Sequence, residues 1–328
     1  MQNIAVVMGG YSDEYEVSLK SGQTIIDNID KKIYNPVKVH ILSNGWFAVK
    51  ENDKFEINKA DFSYINAKGE KVKFDCVFNI IHGTPGEDGH LQAYWKLIGM
   101  PFTGCNHYLS ALTFNKKDCI SVLKKYEIPS AKSIYLAKGD MYDLDFIIKE
   151  LGLPCFVKPN QSGSSLGITK VKSKEDFEGA FKKAFAEDDD ILIEEFLDGT
   201  EVSVGVIEYK GKTFVSGITE IISENEFFDY QAKYEGKSEE ITPARLDKET
   251  TKAVEEIAKK AYNSLRMKGM SRSEFIIVND IPHFIEMNTL PGFSPASILP
   301  QQLAFSKISI KDFISNEIES ALQNFQQK

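Results

Sequence analysis

The chain has 328 residues, of which 42% are hydrophobic and 27% charged, the balance of a soluble globular protein with room for two or three domains. Its net charge of −9 excludes general affinity for nucleic acid or an anionic membrane, so any phosphate chemistry rests on local lysines. No stretch approaches the roughly 20 apolar residues of a membrane span. Cys76, Cys105, Cys119 and Cys155 are scattered without a Cys-x-x-Cys pair and read as free thiols in the cytosol.

The first hundred residues alternate strand-like and helix-like segments. "MQNIAVVMGG" lacks the basic segment and long apolar core of a signal peptide and reads as a strand entering a turn at Gly9-Gly10. "VSLKSGQTIIDNI" reads as a helix, "NPVKVHIL" and "KFDCVFNIIHG" as strands, and "DGHLQAYWKLIGM" as a helix before the short "PFTG". That alternation predicts a parallel sheet with crossover helices.

From Ser110 the character changes. "SALTFNKKDCISVLKKYEIP" predicts one amphipathic helix stopped by Pro129. A strand "KSIYLAK", a helix near 142–151, the strand "LPCFVKP" and a helix near 174–186 follow. The acidic run "EDDD" reads as a solvated turn before the strand "ILIEEF". Two long strands come next, "EVSVGVIEY" and "TFVSGITEII", then an irregular stretch over 223–243. Val254, Ile257, Ala258, Ala261 and Leu265 are spaced for one buried helix face. The pattern divides the chain into 1–104, 105–198 and 199–328.

A hairpin closes the pattern: "SEFIIV", the turn "NDIP", then "HFIEMN". Side chains two apart on a strand share a face, so Glu286 and Asn288 stand side by side just before Pro-Gly. With Asn279 to Pro282 as the turn, Glu274 falls opposite the neighbourhood of Glu286. Two carboxylates there repel each other unless a cation joins them, and three hard oxygen ligands suit Mg²⁺. A solvated hairpin face is the competing reading. Phe275, Ile277, Phe284 and Ile285 oppose it, because they imply a pair buried on both sides, where carboxylates need partners.

Several other segments carry weaker signals alone. "KPNQSGSSLG" sets Lys158 at a strand end before a Gly/Ser-rich loop of the kind whose backbone N–H groups close on phosphate oxygens. It is not a P-loop, because the lysine precedes the glycines. "FNKKD" places Lys116 early in a helix, and either lysine alone reads as a solvated charge. With the loop and the hairpin they form a set that neutralises a polyphosphate. "LIEEFLDGTE" leaves a strand in a manner suited to holding a purine by its backbone, with a carboxylate for the ribose. "GGYSDEYEVSL" lacks the third glycine of a dinucleotide fingerprint, and Glu16 near a helix start can be a dipole-favoured charge only. "HGTPGEDG" is a strand-end loop, where α/β sheets bind ligands.

Taken in order, "GGYSDEYEVSLKSG", "HGTPGEDGHLQ", "PFTG", "KPNQSGSSLG", "FFDYQAKYEG", "TPA" and "EMNTLPGFSPAS" resemble the D-alanine-D-alanine ligases of the ATP-grasp superfamily over essentially the whole chain. The resemblance implies a three-domain α/β ATP-grasp fold. An N-terminal parallel-sheet α/β domain would bind substrate, and two ATP-grasp subdomains would hold ATP, the last carrying the metal hairpin and a lid loop. It implies Lys116 and Lys158 on the ATP phosphates with Ser164 and Ser165, and Lys233 on the γ-phosphate. Glu194, Glu195, Phe196 and Leu197 would line the adenine pocket, and Glu201 would hold the ribose. Glu274, Glu286 and Asn288 would bind two Mg²⁺ ions, or Mn²⁺ in their place.

Glu16 and His82 would sit at the first D-alanine subsite. Arg272, Gly292, Ser297 and Ile298 would surround the second D-alanine and the developing oxyanion. Glu16, Ser164 and Tyr234 would form a relay tying the domains together. The implied chemistry is ATP-dependent formation of D-alanyl-D-alanine through a D-alanyl phosphate, for peptidoglycan precursor synthesis, by a cytoplasmic homodimer. Tyr234 favours an amine acceptor over the hydroxy acid used by D-alanyl-D-lactate-forming relatives. "SENEFFDYQAKYEGKSEE" suits a lid that shields a hydrolysable acyl phosphate. One departure bears on the metal: Glu274 stands where the family pattern has Asp, and a longer carboxylate changes the geometry.

Overall fold

A computed structural model describes residues 1–51, 53–223 and 238–326. Three sheets organise them. The first contains β1 (Gln2–Gly9), β2 (Tyr34–Leu42), β3 (Gly45–Lys50), β4 (Asp53–Asn58), β5 (Ser63–Ile65), β6 (Lys71–Val72) and β7 (Cys76–Asn79), in the order β6-β5-β4-β3-β2-β1-β7. Only β1 pairs in parallel, with β2 and β7; strands β2 to β6 form an antiparallel run. The expected parallel sheet is therefore confined to one end, β2-β1-β7, because short turns such as that between Leu42 and Gly45 leave no room for crossovers.

Strand β1 is an interior strand, flanked by β2 and β7, because its apolar run can be buried on both faces. Ile4, Val6 and Met8 pack beneath α1 (Tyr15–Asn28), and Ala5 and Val7 face the side of Trp95 on α2 (His90–Leu97). Phe313, Ile314 and Ile318 of the last helix, named α9 below, join the first of these cores. The C-terminal segment thus closes back on the N-terminal sheet.

The second sheet holds β8 (Ser133–Ala137), β9 (Cys155–Pro159), β10 (Thr169–Val171) and β11 (Asp190–Glu195), all antiparallel in the order β10-β9-β11-β8. One face is covered by α5 (Leu144–Leu151) and α6 (Asp176–Ala184), through Ile147, Leu151, Phe177 and Phe181. Alternation places Phe156, Lys158 and Glu194 on the other face. The acidic run before β11 is more than a solvated turn: Asp188 Oδ2 accepts the Gln161 N–H at 2.6 Å, anchoring the loop that follows Lys158.

The third sheet holds β12 (Thr200–Tyr209), β13 (Lys212–Ser223), β14 (Ser238–Ile241), β15 (Met270–Val278) and β16 (Ile281–Asn288), in the order β14-β13-β12-β15-β16. Val202, Val204, Phe275, Ile277, Phe284 and Met287 form its buried face, beneath α3 (His107–Phe114), α4 (Lys116–Lys124) and α7 (Lys248–Ser264). The chain ends with α8 (Ile298–Phe305) and α9 (Ile310–Gln326).

Where one helix was expected over 110–129 there are two. Asn115 adopts extended φ/ψ of −90° and 101°, and its Oδ1 accepts the Asp118 N–H. A short polar side chain that can cap a helix competes with helix continuation, so the chain breaks there and restarts. Lys116 is the first residue of α4, early in a helix as expected.

Candidate active site

The hairpin β15–β16 turns on two residues, not the four expected. Asn279 and Asp280 have φ of 49° and 64°, the left-handed pair that a type I′ turn requires. Uninterrupted pairing from that turn would set Glu274 against Ile285. A bulge at Ile285 restores the partnership Glu274↔Glu286, followed by Arg272↔Asn288. Arg272, Glu274, Glu286 and Asn288 therefore share the face opposite the buried one. An Arg272 guanidinium N–H donates to Glu274 Oε1 at 3.0 Å, and Asn288 Oδ1 accepts the Leu290 N–H at 2.9 Å.

Between this face and the second sheet lies a cavity of about 90 Å³, lined by Lys116, Phe156, Lys158, Ser165, Leu166, Ile168, Glu194, Glu195, Leu197, Glu201, Glu274, Ile276, Ile285 and Glu286 among others. Its apolar walls, with two lysines and five glutamates around them, suit a purine nucleotide. Lys158 and Glu194 form an ion pair at 2.6 Å with both side chains largely buried. Burial alone would lower the Lys158 ammonium, but Glu194, with Glu286 and Glu201 behind it, holds it above its ordinary value. Glu195 Oε1 accepts the Lys132 N–H at 2.7 Å, and the Glu195 N–H donates to Lys132 O at 3.0 Å, fixing the end of β11 beside the cavity. Phe196 does not line the cavity; its ring packs near Phe156, with the Lys170 ammonium 4.1 Å from its centroid. Lys116 donates to Ser162 O at 2.7 Å and pairs with Glu286 at 3.4 Å. In the Gly/Ser-rich loop Ser164 and Ser165 both have positive φ, 52° and 58°. Turn conformations of that kind gather successive N–H groups into anion-binding concavities.

A second cavity of about 360 Å³ adjoins the first and shares Lys116, Ser162 and Glu286 with it. Glu14, Lys20, His82, Glu87, Ser164, Glu240, Arg272, Asn288, Gly292, Ser297 and Ile298 line it. Of the two glutamates at the start of α1, Glu14 and not Glu16 lines this cavity. Ser164 Oγ donates to Glu14 Oε1 at 2.5 Å, whereas Glu16 is exposed and lines neither cavity. Glu14 precedes the first helical residue of α1, and Glu16 has already turned with the helix towards solvent. Gly163 belongs to this contact, because a Cβ there would lie 2.8 Å from Glu14 Oε2.

His82 is buried, and burial lowers its imidazolium well below the ordinary histidine range despite the nearby Glu14. Its ring is therefore neutral. Nδ1–H donates to Leu290 O at 2.7 Å, so Nε2 is the acceptor for the Ser21 hydroxyl at 3.1 Å. Ser21 Oγ in turn accepts the Phe293 N–H at 3.0 Å. This chain of bonds pins the segment after β16 to α1. Glu87 is buried beside it, accepts the Gly83 N–H at 3.0 Å, and is pushed up to about 8 by burial and then by Glu14.

Glu14, Lys20, Glu87 and Glu240 were missed in the sequence. For Glu14 and Glu87 the acid-rich segments "SDEYE" and "GEDG" were a signal, but not one that separates neighbouring carboxylates. Lys233 and Tyr234 lie outside the described residues. Among the described residues, no group of three or more His, Cys, Asp or Glu side chains gathers as a metal cage. The hairpin instead offers two carboxylates and an amide, hard oxygens that fit Mg²⁺ shared with phosphates. Glu286 adds to the upward shift of Glu87 and Lys116 opposes it, so the two charged groups of the shared wall act on Glu87 with opposite sign.

Comparison with known proteins agrees with this geometry. A family model described as D-ala D-ala ligase N-terminus matches residues 3–105, and one described as D-ala D-ala ligase C-terminus matches 122–319. The chain is 62% identical over 320 residues to the D-alanine–D-alanine ligase of Flavobacterium psychrophilum, covering 98% of this chain and 97% of that one. The structure of the D-alanine-D-alanine ligase from Coxiella burnetii superposes with a TM-score of 0.88 at 26% identity, over 100% of this chain and 97% of that one. The Bacillus anthracis ligase complexed with ATP superposes with a TM-score of 0.79 at 26% identity, over 100% and 99% of the two chains. The chain belongs to the D-alanine–D-alanine ligase family, with the ATP-grasp fold.

Proposed function

We propose that this protein joins two D-alanine molecules at the expense of ATP, releasing ADP and phosphate, to supply a peptidoglycan precursor. The observation that carries this reading is the shared wall of the two cavities, Lys116, Ser162 and Glu286. A nucleotide in the narrow cavity would present its γ-phosphate there to a carboxylate held in the wide one.

The first D-alanine carboxylate attacks the γ-phosphorus; an O–P bond forms, the bond to ADP breaks, and an acyl phosphate results. Lys116 and Lys158 stabilise the charge spread over the phosphoryl oxygens, with the Gly/Ser-rich loop around Ser164 and Ser165. Leu197 and the backbone near Glu194–Glu195 hold the adenine, and Glu201 the ribose. Glu274, Glu286 and Asn288 would hold Mg²⁺ as two ions, or Mn²⁺, which when bound neutralises the phosphates. Glu14 takes the subsite expected of Glu16, and the neutral His82 keeps that subsite's walls in place. The amine of the second D-alanine then attacks the acyl carbonyl, Arg272 stabilises the oxyanion, and the C–O bond to phosphate breaks. Ser297 and Gly292 border the acceptor beside Ile298.

The test is one assay of the purified protein with ATP, Mg²⁺ and D-alanine. Dipeptide detected by mass, with phosphate release that needs D-alanine and not L-alanine, is the expected result. Absence of D-alanine-dependent turnover at any Mg²⁺ level refutes it. The working domain boundaries are 1–104, 105–198 and 199–328, with helices crossing between units as described. We place the enzyme in the cytoplasm as a homodimer, which light scattering tests. No helix among the described residues is long and apolar enough to cross a membrane.

A further inference from the structure

The wide cavity contains a carboxylate that no step above uses. Glu240 stands on the edge strand β14, opposite Ile221 of β13, and lines the cavity at its Arg272 end, beside Gly292, Ser297 and Ile298. Ile221 and Ile298 pack together, so this strand is held against the start of α8. The other carboxylates of the cavity are already engaged. Glu14 takes the Ser164 hydroxyl, Glu286 pairs with Lys116, and Glu87 takes the Gly83 N–H.

Glu240 is half-buried, and among the described residues no side chain hydrogen-bonds its carboxylate. Burial raises its carboxyl above the usual range; Arg272 opposes that shift and Glu274 adds to it. Arg272 compensates that burial only in part, and a partly desolvated carboxylate facing a cavity is a place where a further cation binds favourably.

We propose that Glu240 receives the ammonium group of the acceptor amino acid. This rests on the ligase reading above and deepens it. The acceptor is an amino acid, so it brings one positive and one negative end. Arg272 and Ser297 offer hydrogen-bond donors at this end of the cavity, and Glu240 offers the one carboxylate there that is not already engaged. Held there, the ammonium gives one proton to the Glu240 carboxylate, and the freed amine attacks the acyl carbonyl beside Arg272; its second proton leaves with the phosphate as the C–O bond breaks.

The test uses Glu240→Gln, which keeps the shape and removes the charge. Two acceptors are compared: D-alanine, giving dipeptide, and hydroxylamine, which is largely uncharged at neutral pH and traps the acyl phosphate as a hydroxamate. The KM for acceptor D-alanine is expected to rise about 10- to 100-fold, the worth of a hydrogen bond to a charged group. Hydroxamate formation and ATP affinity stay within about twofold, since neither meets an ammonium at this position. Glu240→Asp, which keeps the charge, recovers part of the acceptor KM. Dipeptide and hydroxamate falling together, or an unchanged acceptor KM, overturns the assignment of Glu240 alone. Wild-type protein that makes neither product overturns the ligase reading itself, and this one with it.

Discussion

The Ser164 hydroxyl donates to Glu14 Oε1 at 2.5 Å, joining the Gly/Ser-rich loop to the start of α1 across 150 positions of chain. The contact ties the loop proposed to close on phosphate to the segment proposed to hold the amino acid. Charge-assisted bonds of this kind are among the stronger ones and fix geometry as well as energy. Glu14→Gln should lower kcat/KM for D-alanine by about 10²-fold, the scale of loss when a positioned group is misplaced. Glu16→Gln should stay within about twofold, as an exposed substitution does. ADP release with D-alanine measures both, and equal losses would show that Glu14 has no special part.

Asn115 decides where Lys116 points. Its Oδ1 caps α4 while Lys116 Nζ reaches Ser162 O at 2.7 Å. Asn115→Ala removes the cap at a cost of about 1 kcal/mol in stability. It also removes the stop between α3 and α4. Calorimetric ATP binding should weaken several-fold while D-alanine KM values hold. Unchanged ATP affinity in a destabilised variant would separate the cap from the site.

Glu274, read from the resemblance as standing in place of an Asp, meets the Arg272 guanidinium at 3.0 Å on the same strand face. Glu274→Gln should raise the Mg²⁺ concentration for half-maximal activity by about tenfold or more, the scale for loss of a group that holds or orients a metal. Glu274→Asp keeps the charge and should leave that concentration nearly unchanged. An identical Mg²⁺ titration for wild type and Glu274→Gln would falsify the assignment of Glu274 to the metal.

Away from the site, Glu317 of α9 is buried, and burial and then Glu208 push its carboxyl up to about 8. A backbone hydrogen bond from Met270 opposes that shift only in part. The sign follows from proton linkage. The folded state holds a proton that the unfolded chain releases near its ordinary value, so stability from this group is present at low pH. It is lost as pH rises through about 8. Glu317→Gln keeps a neutral group in place. Its melting temperature should match wild type near pH 5 and exceed it near pH 9, by stability on the order of a few kcal/mol. A variant that gains nothing at high pH would show that the carboxyl is not held protonated by the fold.

Much of the molecule was legible in residue types and their periodicity. The buried run of β1, the amphipathic helix α7 and the hairpin β15–β16 each follow from local patterns whose burial needs no distant partner to define it. Lys158 at a strand end before its loop, and Arg272 and Gly292 near the hairpin, were legible because motif order along the chain survives folding. Two features were not. Glu14 and Glu16 are alike in sequence, and only the start of α1 settles which one faces Ser164. Asn115 reads as a tolerable helix residue until its neighbours make the cap worth more than the missing turn.

The hairpin shows the division most sharply. Sequence alone determined that Glu274, Glu286 and Asn288 lie on two adjoining strands with a tight turn between them. The two-residue turn, taken with regular pairing, would put Glu274 and Glu286 on opposite faces. Strand side chains alternate with a period of two, so a single extra residue reverses the face of everything beyond it. The bulge at Ile285 supplies that residue, and it exists because Phe284 and Met287 must both reach the buried core beneath α4 and α7. Packing on the far side of the sheet, which no local pattern records, is what brings the two carboxylates together.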